Sequence, residues 1–207
     1  MLKIENTEVL GWQAAIRGMR NPMNSWEKSD SWWDGFGEAD GYTIGENDHE
    51  LMLRLARGGS VHAKYRRMIV VTCDITAPLY WWKEFDTYKV GTVANSCSTM
   101  HKIHAKEFTV DDFSCEHLFP GSMDILNGVI DMLNYSRLLY LADKNKDHWW
   151  QMIQLLPTSY NQKRTVMLNY EVLVGMLRDR QHHKLDEWHT FCDWIRELPY
   201  AEIIEQV

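Results

Sequence analysis

The chain has 207 residues and a formal charge of -7, from 22 Lys and Arg against 29 Asp and Glu. This charge excludes a general affinity for nucleic acid or anionic membranes, so any phosphate ligand must be bound by a local cluster of cations. Apolar residues at 45% and charged residues at 25% are ordinary for a globular protein with a sizeable core. No break in composition marks a boundary, and we predict a single domain over residues 1–207.

The cysteines and histidines do not have the spacing of a metal site. The four cysteines form no CxxC pair, which argues against a zinc site or a disulfide framework. The adjacent His182 and His183 would point in different directions on a helix, so no metal is predicted. The N-terminal residues lack the apolar core of a signal peptide, and no run is long enough to span a membrane. We therefore expect a cytoplasmic protein without membrane or nucleic-acid partners.

The first part of the chain predicts a short strand, two helices and a long loop. Residues 2–5 favour a strand, and the apolar residues of 9–19 recur at helical spacing. Residues 24–47 are rich in Ser, Asp, Gly and Trp without a steady period, which predicts a loop. Asn47 is a candidate N-cap for a helix over 48–57, which the following glycines would end.

The middle of the chain predicts a buried strand followed by helices. Residues 68–75 are β-branched and apolar, which indicates a central strand. Pro78 favours the start of a helix over 79–86 that carries Trp81 and Trp82. The segment 90–104 is ambiguous: its small hydroxylated residues favour a loop, and a helix over 93–103 is the alternative. A long amphipathic helix is predicted over 124–140, with the apolar set Ile125, Val129, Met132, Leu133, Leu138 and Leu139.

The last part of the chain predicts three helices, over 149–156, 164–180 and 184–198. Mostly helical content with few strands indicates the α+β class. The ten tryptophans include three doublets that cannot all place both rings in one core. Some of these rings should cover a ligand or a neighbouring subunit, because Trp is enriched at interfaces.

Two stretches carry a resemblance to a known family. One runs from Ala77-Pro78 into a dense polar segment beside the tryptophans. The other begins at Leu156-Pro157, carries Asn169 and places Arg180 eleven residues later. This order and spacing resemble the flavin-dependent thymidylate synthases over roughly residues 45 to 190. The resemblance implies the α+β fold of that family, with a central mixed sheet flanked by long helices.

The chain departs from the family's RHRxxSxNExSxRY signature. Thr87-Tyr88-Lys89 stand where the family has Arg-His-Arg, and Thr99-Met100 stand where Arg-Tyr is expected. Ile153 and Glu171 occupy the positions of two further family arginines, and Met68 that of a histidine. Each good charge-assisted donor to a phosphate contributes about 1.5–3 kcal/mol. These replacements therefore predict weaker binding of the family's usual ligand.

The resemblance implies a function, a cofactor and an assembly. The chain would bind a pyrimidine nucleotide and FAD as a homo-oligomer, most simply a tetramer. If catalysis is retained, it is flavin-dependent methylation of a deoxyuridine nucleotide; the alternative is a non-catalytic nucleotide-binding, sequestering or regulatory protein on the same scaffold. A structural role, with tryptophans as interface anchors, is a third hypothesis. No catalytic residue is assigned.

By the same resemblance, site residues fall in both halves of the chain. The residues expected to bind the nucleotide are Arg180, Glu84, Lys89, Cys97 and Ser98. Those expected to bind the cofactor are Thr92, Asn95, Ser96 and Asn169.

Other cations have two interpretations. Lys163, Arg164 and Arg178 either complete a phosphate site or are exposed charges paired along a helix. The basic run His62, Lys64, Arg66 and Arg67 precedes the predicted strand, and a solvated loop is the favoured interpretation there.

Overall fold

The computed structural model describes residues 2–205 and contains both helices and strands. Its α-helices are α1 (Trp12–Arg20), α2 (Glu46–Arg57), α3 (Leu79–Phe85), α4 (Pro120–Asp143), α5 (Lys146–Leu155), α6 (Tyr170–Arg180), α7 (Asp186–Arg196) and α8 (Glu202–Glu205). Its strands are β1 (Lys3–Leu10), β2 (Trp32–Gly37), β3 (Gly41–Thr43), β4 (Val70–Pro78), β5 (Val93–Ser96) and β6 (Asn161–Asn169). One sheet has the order β1-β4-β6-β5, and β2 pairs with β3 as an antiparallel hairpin. The predicted α+β class is confirmed.

The described chain divides into two compact units. The first unit comprises residues 2–3, 75–87 and 95–164, and the second comprises residues 4–74, 88–94 and 165–205. The single domain expected over residues 1–207 stays a prediction. Within residues 2–205, no helix is long and apolar enough to cross a membrane.

The first unit has its core beneath α4 and α5. Leu126, Ile130 and Leu133 of α4 are buried there with Met152 of α5. In α3 of the same unit, both tryptophans of one doublet are buried, and Trp82 Nε1 donates a hydrogen bond to the Gln162 carbonyl at 2.9 Å. Both rings of the Trp81–Trp82 doublet are therefore part of the core of the first unit.

The core of the second unit is built on aromatic contacts between α1, α6 and α7. Trp12 and Tyr170 are buried with their rings edge to face, 5.5 Å between centroids. The Tyr170 hydroxyl donates to the Pro199 carbonyl at 2.6 Å, which satisfies its polar atom inside the core. Phe191 and Ile195 of α7 complete this core.

Helix α1 and strand β4 were predicted with shifted boundaries. The helix begins at Trp12 rather than Val9, because Gly11 has a left-handed φ of 94° and separates it from β1. Strand β4 begins at Val70, and it is an internal strand with alternate side chains buried, as predicted. The helix start after Pro78 is also confirmed.

The prediction of one long helix over 164–180 is wrong. Residues 161–169 form strand β6, in which Val166 and Leu168 are buried in alternation with more exposed neighbours. Asn169 then caps α6, because its Oδ1 accepts a hydrogen bond from the Val172 backbone N–H at 3.0 Å. The apolar residues of β6 continue the helical spacing of α6, so the sequence prediction began the helix too early.

Three smaller predictions are also corrected. The expected loop over 24–47 contains the β2–β3 hairpin, where the Asp34 carboxylate accepts backbone N–H bonds from Phe36 and Gly37, both at 2.9 Å. The alternative helix over 93–103 is wrong, because β5 forms there. Asn47 does not cap α2; the cap residue is Gly45.

Candidate functional site

A wide cleft of about 1370 Å³ opens in the second unit. It lies between the end of α1, helix α2 and the turn before β4. Its lining includes four Lys and Arg side chains besides Arg20, together with His62, against the single carboxylate of Glu50: the four are Lys28, Arg54, Arg57 and Lys64. We call this the cationic cleft. A surface with this excess of positive charge attracts anions in a protein whose net charge is negative.

The cationic cleft also has an apolar part. Met19 and Tyr65 line it and are buried, and Met68 lines it while half exposed. The Tyr65 hydroxyl donates to the Met52 carbonyl at 2.9 Å, and burial raises its pKa well above that of a free tyrosine, so it stays neutral. Cations beside apolar surface suit a ligand that carries both phosphate and a planar ring.

Helix α2 supplies two of the cations, and a buried carboxylate fixes its start. Asp48 is inaccessible to solvent and accepts hydrogen bonds from Arg20 Nε at 2.6 Å, Ser29 Oγ at 2.7 Å and Ser31 Oγ at 2.8 Å. Burial alone would raise the pKa of Asp48, but these hydroxyls and the Arg20 guanidinium outweigh it and hold the pKa below its ordinary value. Arg20 also lines the cationic cleft, but its charge is paired with Asp48.

The first backbone N–H groups of α2 are paired with a side chain from outside the helix. The Asp30 carboxylate accepts hydrogen bonds from the backbone N–H groups of Asn47 at 2.9 Å and Asp48 at 3.1 Å. A carboxylate in this place also complements the helix dipole. Arg54 and Arg57 then lie three residues apart, on one face of the last turns of the helix.

The basic run before β4 is not a solvated loop. Residues 64–67 form a short 3-10 turn, and Arg66 is buried. Arg66 Nε lies 2.9 Å from Glu171 Oε2, and Arg66 Nη1 donates to the Ile203 carbonyl at 3.0 Å. Glu171, which replaces a family arginine, therefore neutralises a buried cation. His62 and Lys64 of the same run line the cationic cleft, a role that the sequence interpretation missed.

Arg180 contacts two aromatic rings within the second unit. Its Nε donates to the Tyr88 hydroxyl at 2.8 Å. Its guanidinium carbon lies 4.7 Å from the ring centroid of the buried Trp188 and 5.4 Å from that of Tyr88. Hydrogen bonding and cation–π contacts thus fix the direction of the guanidinium. Tyr88 was not among the predicted site residues, although it stands within the family's signature.

The segment after Tyr88 packs against the start of α6. Gly91 has a φ of 76°, and a Cβ there would lie 2.9 Å from both Asn169 Nδ2 and Val172 Cγ2. Thr92 donates its hydroxyl to the Tyr88 carbonyl, and Lys89 is exposed. Of the predicted site residues in this unit, Asn169 lies at the start of α6 and Arg180 at its end. Eleven residues of helix separate Asn169 from Arg180, which is roughly 16 Å.

The remaining predicted site residues belong to the first unit. Asn95, Ser96 and Cys97 are exposed, and the Cys97 backbone pairs with the Lys163 carbonyl at 2.9 Å and with Gln162 Nε2 at 2.8 Å. Their exposed side chains are compatible with ligand contacts.

Two further predicted residues of the first unit have different surroundings. Ser98 Oγ accepts backbone bonds from Met100 at 3.2 Å and His101 at 2.9 Å, which closes a turn. Glu84 is half-buried in α3. The hydroxyl of Ser98 therefore has a local structural task in addition to any role toward a ligand.

Two of the additional cations have protein partners. In the first unit, Arg164 Nη1 lies 2.8 Å from Asp86 Oδ1, and its guanidinium carbon lies 4.2 Å from the Trp82 ring centroid. In the second unit, Arg178 Nε lies 2.9 Å from Asp179 Oδ1 at the exposed end of α6. The paired interpretation holds for both, although Arg164 lies on a strand rather than a helix.

No protein-family model matches the chain, and no curated protein matches it in sequence. Its structure is similar to that of the flavin-dependent thymidylate synthase ThyX from Helicobacter pylori complexed with FAD and dUMP, with a TM-score of 0.70, 15% identity, and coverage of 99% of this chain and 97% of that one. A second structure of ThyX from Helicobacter pylori, with FAD and dUMP, gives a TM-score of 0.69 at 15% identity, covering 98% and 96%. The UMP/dUMP methylase PolB from Streptomyces cacaoi, bound with 5-Br dUMP, gives 0.63 at 12% identity, covering 100% and 94%.

These similarities extend over nearly the full length of each chain. The chain therefore has the fold of the flavin-dependent thymidylate synthases. The resemblance inferred from the Asn169 to Arg180 spacing and from Ala77-Pro78 is confirmed at the level of the fold.

Proposed function

We propose that the protein binds a phosphate-bearing nucleotide, with FAD in the cationic cleft. The observation that carries this proposal is the excess of the Lys and Arg side chains Lys28, Arg54, Arg57 and Lys64 over one carboxylate around an apolar surface. Phosphate groups prefer such cations, and a flavin ring can cover the exposed side chain of Met68. Proteins of the same fold crystallised with FAD and dUMP support this choice of ligands.

The residues that line the cationic cleft suit an anionic dinucleotide such as FAD, although none of them belongs to the family signature. Arg54 and Lys64, which are both exposed, would hold the phosphates, and His62 offers a further hydrogen-bonding group at the rim. The chemistry that FAD supplies when bound is hydride transfer. The finer proposal is that the protein methylates a deoxyuridine nucleotide, for which the flavin would supply the hydride and, by the family resemblance, a folate would supply the one-carbon unit.

We propose Arg180 as the anchor of the pyrimidine nucleotide, with the exposed Lys89 as a second cation predicted for this ligand. A guanidinium already oriented by Tyr88 and Trp188 loses little freedom when it binds a phosphate. Glu84, Cys97 and Ser98 stay the other predicted contacts of the pyrimidine nucleotide, and Thr92, Asn95, Ser96 and Asn169 stay the residues predicted for the cofactor by the family resemblance. We also propose a homotetramer in the cytoplasm, the assembly and location inferred from the sequence.

A second candidate function is nucleotide binding without catalysis. The ion pair between Arg66 and Glu171 favours it, because Glu171 stands where the resembled family has an arginine, and its carboxylate neutralises a buried cation instead of offering one to a ligand. A protein that binds both dUMP and FAD but converts neither would support this alternative.

Replacing Arg180 with alanine is expected to weaken dUMP binding more than tenfold, about 1.4 kcal/mol. The reason is the loss of a pre-oriented bidentate donor to the phosphate. Isothermal titration of the purified protein with dUMP measures this effect. Arg178→Ala is the matched control, since Arg178 is an exposed arginine two residues away that pairs with Asp179. Equal affinity in wild type and Arg180→Ala would exclude the proposed anchor, and a wild type that binds no dUMP would exclude the nucleotide.

A further inference from the structure

The hairpin formed by β2 and β3 carries large aromatic side chains on its surface. We call residues 32–43 the aromatic hairpin. Its Phe36 is exposed by 94%, Trp33 by 68% and Trp32 by 54%, and Trp26 shortly before it is exposed by 49%. So many exposed rings in a short segment mark an interaction surface rather than an ordinary solvated turn.

The backbone of the aromatic hairpin is held by a carboxylate and a tight turn. Asp34 accepts two backbone hydrogen bonds within β2, both at 2.9 Å, and one from Thr43 Oγ1 of β3 at 2.7 Å. Asp40 and Gly41 connect the strands with φ values of 55° and 77°, as in a type I′ turn. The exposed rings are therefore presented on an ordered support, which lowers the entropic cost of binding a partner.

The ring of Trp33 lies against glycine backbone. A Cβ added at Gly41 would lie 3.0 Å from Trp33 Nε1, and a Cβ added at Gly35 would lie 3.7 Å from two carbons of the same ring. Both glycines have a positive φ, which a side chain would strain. The indole thus has a backbone support while most of its surface is open, and such a ring can receive a group that stacks on it.

The segment that contains the aromatic hairpin carries only negative charge. Residues 29–48 include six Asp and Glu and no Lys, Arg or His. Glu38 and Asp40 are exposed. Hydrogen bonds, above all that from the Phe36 backbone N–H, hold the pKa of Asp34 below its ordinary value, so this carboxylate is ionised at neutral pH. Aromatic faces and carboxylates both attract cations, and here they occur together.

We propose that the aromatic hairpin binds a segment of a partner protein that is rich in arginine and lysine. The cationic side chains of this segment lie over the rings of Trp33 and Phe36, and Glu38 and Asp40 balance their charge. This inference goes beyond the proposed nucleotide site and does not rest on it.

The negative charge disfavours the other occupants that exposed rings can have. Single-stranded nucleic acid stacks on aromatic side chains, but its phosphates are repelled by these carboxylates. An anionic membrane surface is repelled in the same way. A symmetrical contact with the aromatic hairpin of a second copy would set like charges against each other across the axis. A basic protein segment has neither disadvantage.

Fluorescence anisotropy with a labelled Gly-Arg repeat peptide tests the role of the rings. The wild type is expected to bind this peptide and not a Gly-Gln repeat peptide of equal length. Trp33→Leu with Phe36→Leu should weaken binding about fivefold or more, because leucine keeps an apolar surface without an aromatic face. Phe119→Leu with Tyr135→Leu is the matched control, since both rings are exposed elsewhere on the chain. An equal loss in the two double variants, or no loss in the hairpin variant, would overturn the proposal.

A second pair of variants tests the charge. Glu38→Gln with Asp40→Asn is expected to weaken binding about threefold or more at low salt and to reduce its dependence on salt. Asparagine before glycine is favoured in a type I′ turn, so the hairpin is retained. Asp124→Asn with Asp131→Asn removes the same charge from exposed positions of α4. If both pairs weaken binding equally, the peptide responds to net charge alone and the aromatic hairpin is not its site.

Two further ligands test the choice of partner. The wild type is titrated with oligothymidylate and with phosphatidylcholine vesicles beside the Gly-Arg peptide, and circular dichroism verifies that every variant keeps its fold. The peptide is expected to bind most tightly of the three. Tighter binding of oligothymidylate or of vesicles that is lost in Trp33→Leu with Phe36→Leu would replace the basic partner with nucleic acid or lipid. Binding of none of the three would exclude the aromatic hairpin as this docking surface.

Discussion

Replacing both Arg54 and Lys64 with alanine is expected to lower the affinity for FAD by a hundredfold or more. Both side chains are exposed in the cationic cleft, where each can form a charge-assisted hydrogen bond with a phosphate. Such bonds contribute about 1.5–3 kcal/mol each, so the loss of two exceeds the roughly 2.7 kcal/mol of a hundredfold change. Quenching of flavin fluorescence during titration measures the affinity.

The control for this experiment changes the same charge outside the cationic cleft. Arg67 is exposed in the same 3-10 turn as Lys64 but does not line the cleft, and Lys184 is exposed after α6. Arg67→Ala with Lys184→Ala should therefore leave FAD binding within about twofold of wild type. If both double variants weaken binding equally, the effect is one of net charge, and the cleft is not the site.

Replacing Asp48 with alanine is expected to lower the free energy of unfolding by about 3–5 kcal/mol. The variant leaves the Arg20 charge, which is almost fully buried, without its partner at 2.6 Å. It also removes the acceptor for the hydroxyls of Ser29 and Ser31. Urea unfolding measures the difference, with Asp193→Ala as control because Asp193 is exposed and pairs with Arg196 near the surface. A loss below 1 kcal/mol would show that Asp48 does not hold this region together.

The same carboxylate gives stability a dependence on pH. The pKa of Asp48 is lowered in the folded protein, so the unfolded chain binds its proton more readily. Its contribution is therefore complete above the ordinary pKa of aspartate, about 4, and is lost as the pH falls through the lower pKa of the folded state. Wild type should lose stability below pH about 4 more steeply than Asp48→Ala.

The parts of the fold that could be predicted are those with local causes. The β-branched run before Ala77-Pro78 and the fixed backbone angle of Pro78 specify β4 and the start of α3 without help from distant residues. Strand β6 was missed because its apolar residues continue into α6 at helical spacing. Only pairing within the sheet and the capping by Asn169 separate the two elements.

The cationic cleft could not be predicted because its residues come from separate segments. Lys28, Arg54 and Lys64 are distant in sequence, and the contacts of Asp30 and Asp48 determine where α2 begins. Neither aspartate belongs to a motif that a single sequence reveals. The spacing of Asn169 and Arg180 was informative about the fold. The helix between them separates the two residues by roughly 16 Å, and they were predicted for different ligands, Asn169 for the cofactor and Arg180 for the nucleotide.

We propose that the cationic cleft binds an anionic flavin nucleotide through its phosphates. Equilibrium titration of the wild-type protein with FAD and with riboflavin separates the two parts of this ligand, because riboflavin has the ring system without phosphate. FAD is expected to bind at least tenfold more tightly than riboflavin, and this difference should shrink as salt screens the cations. Equal binding of the two ligands, or binding of neither, would show that the cationic cleft does not recognise a flavin phosphate.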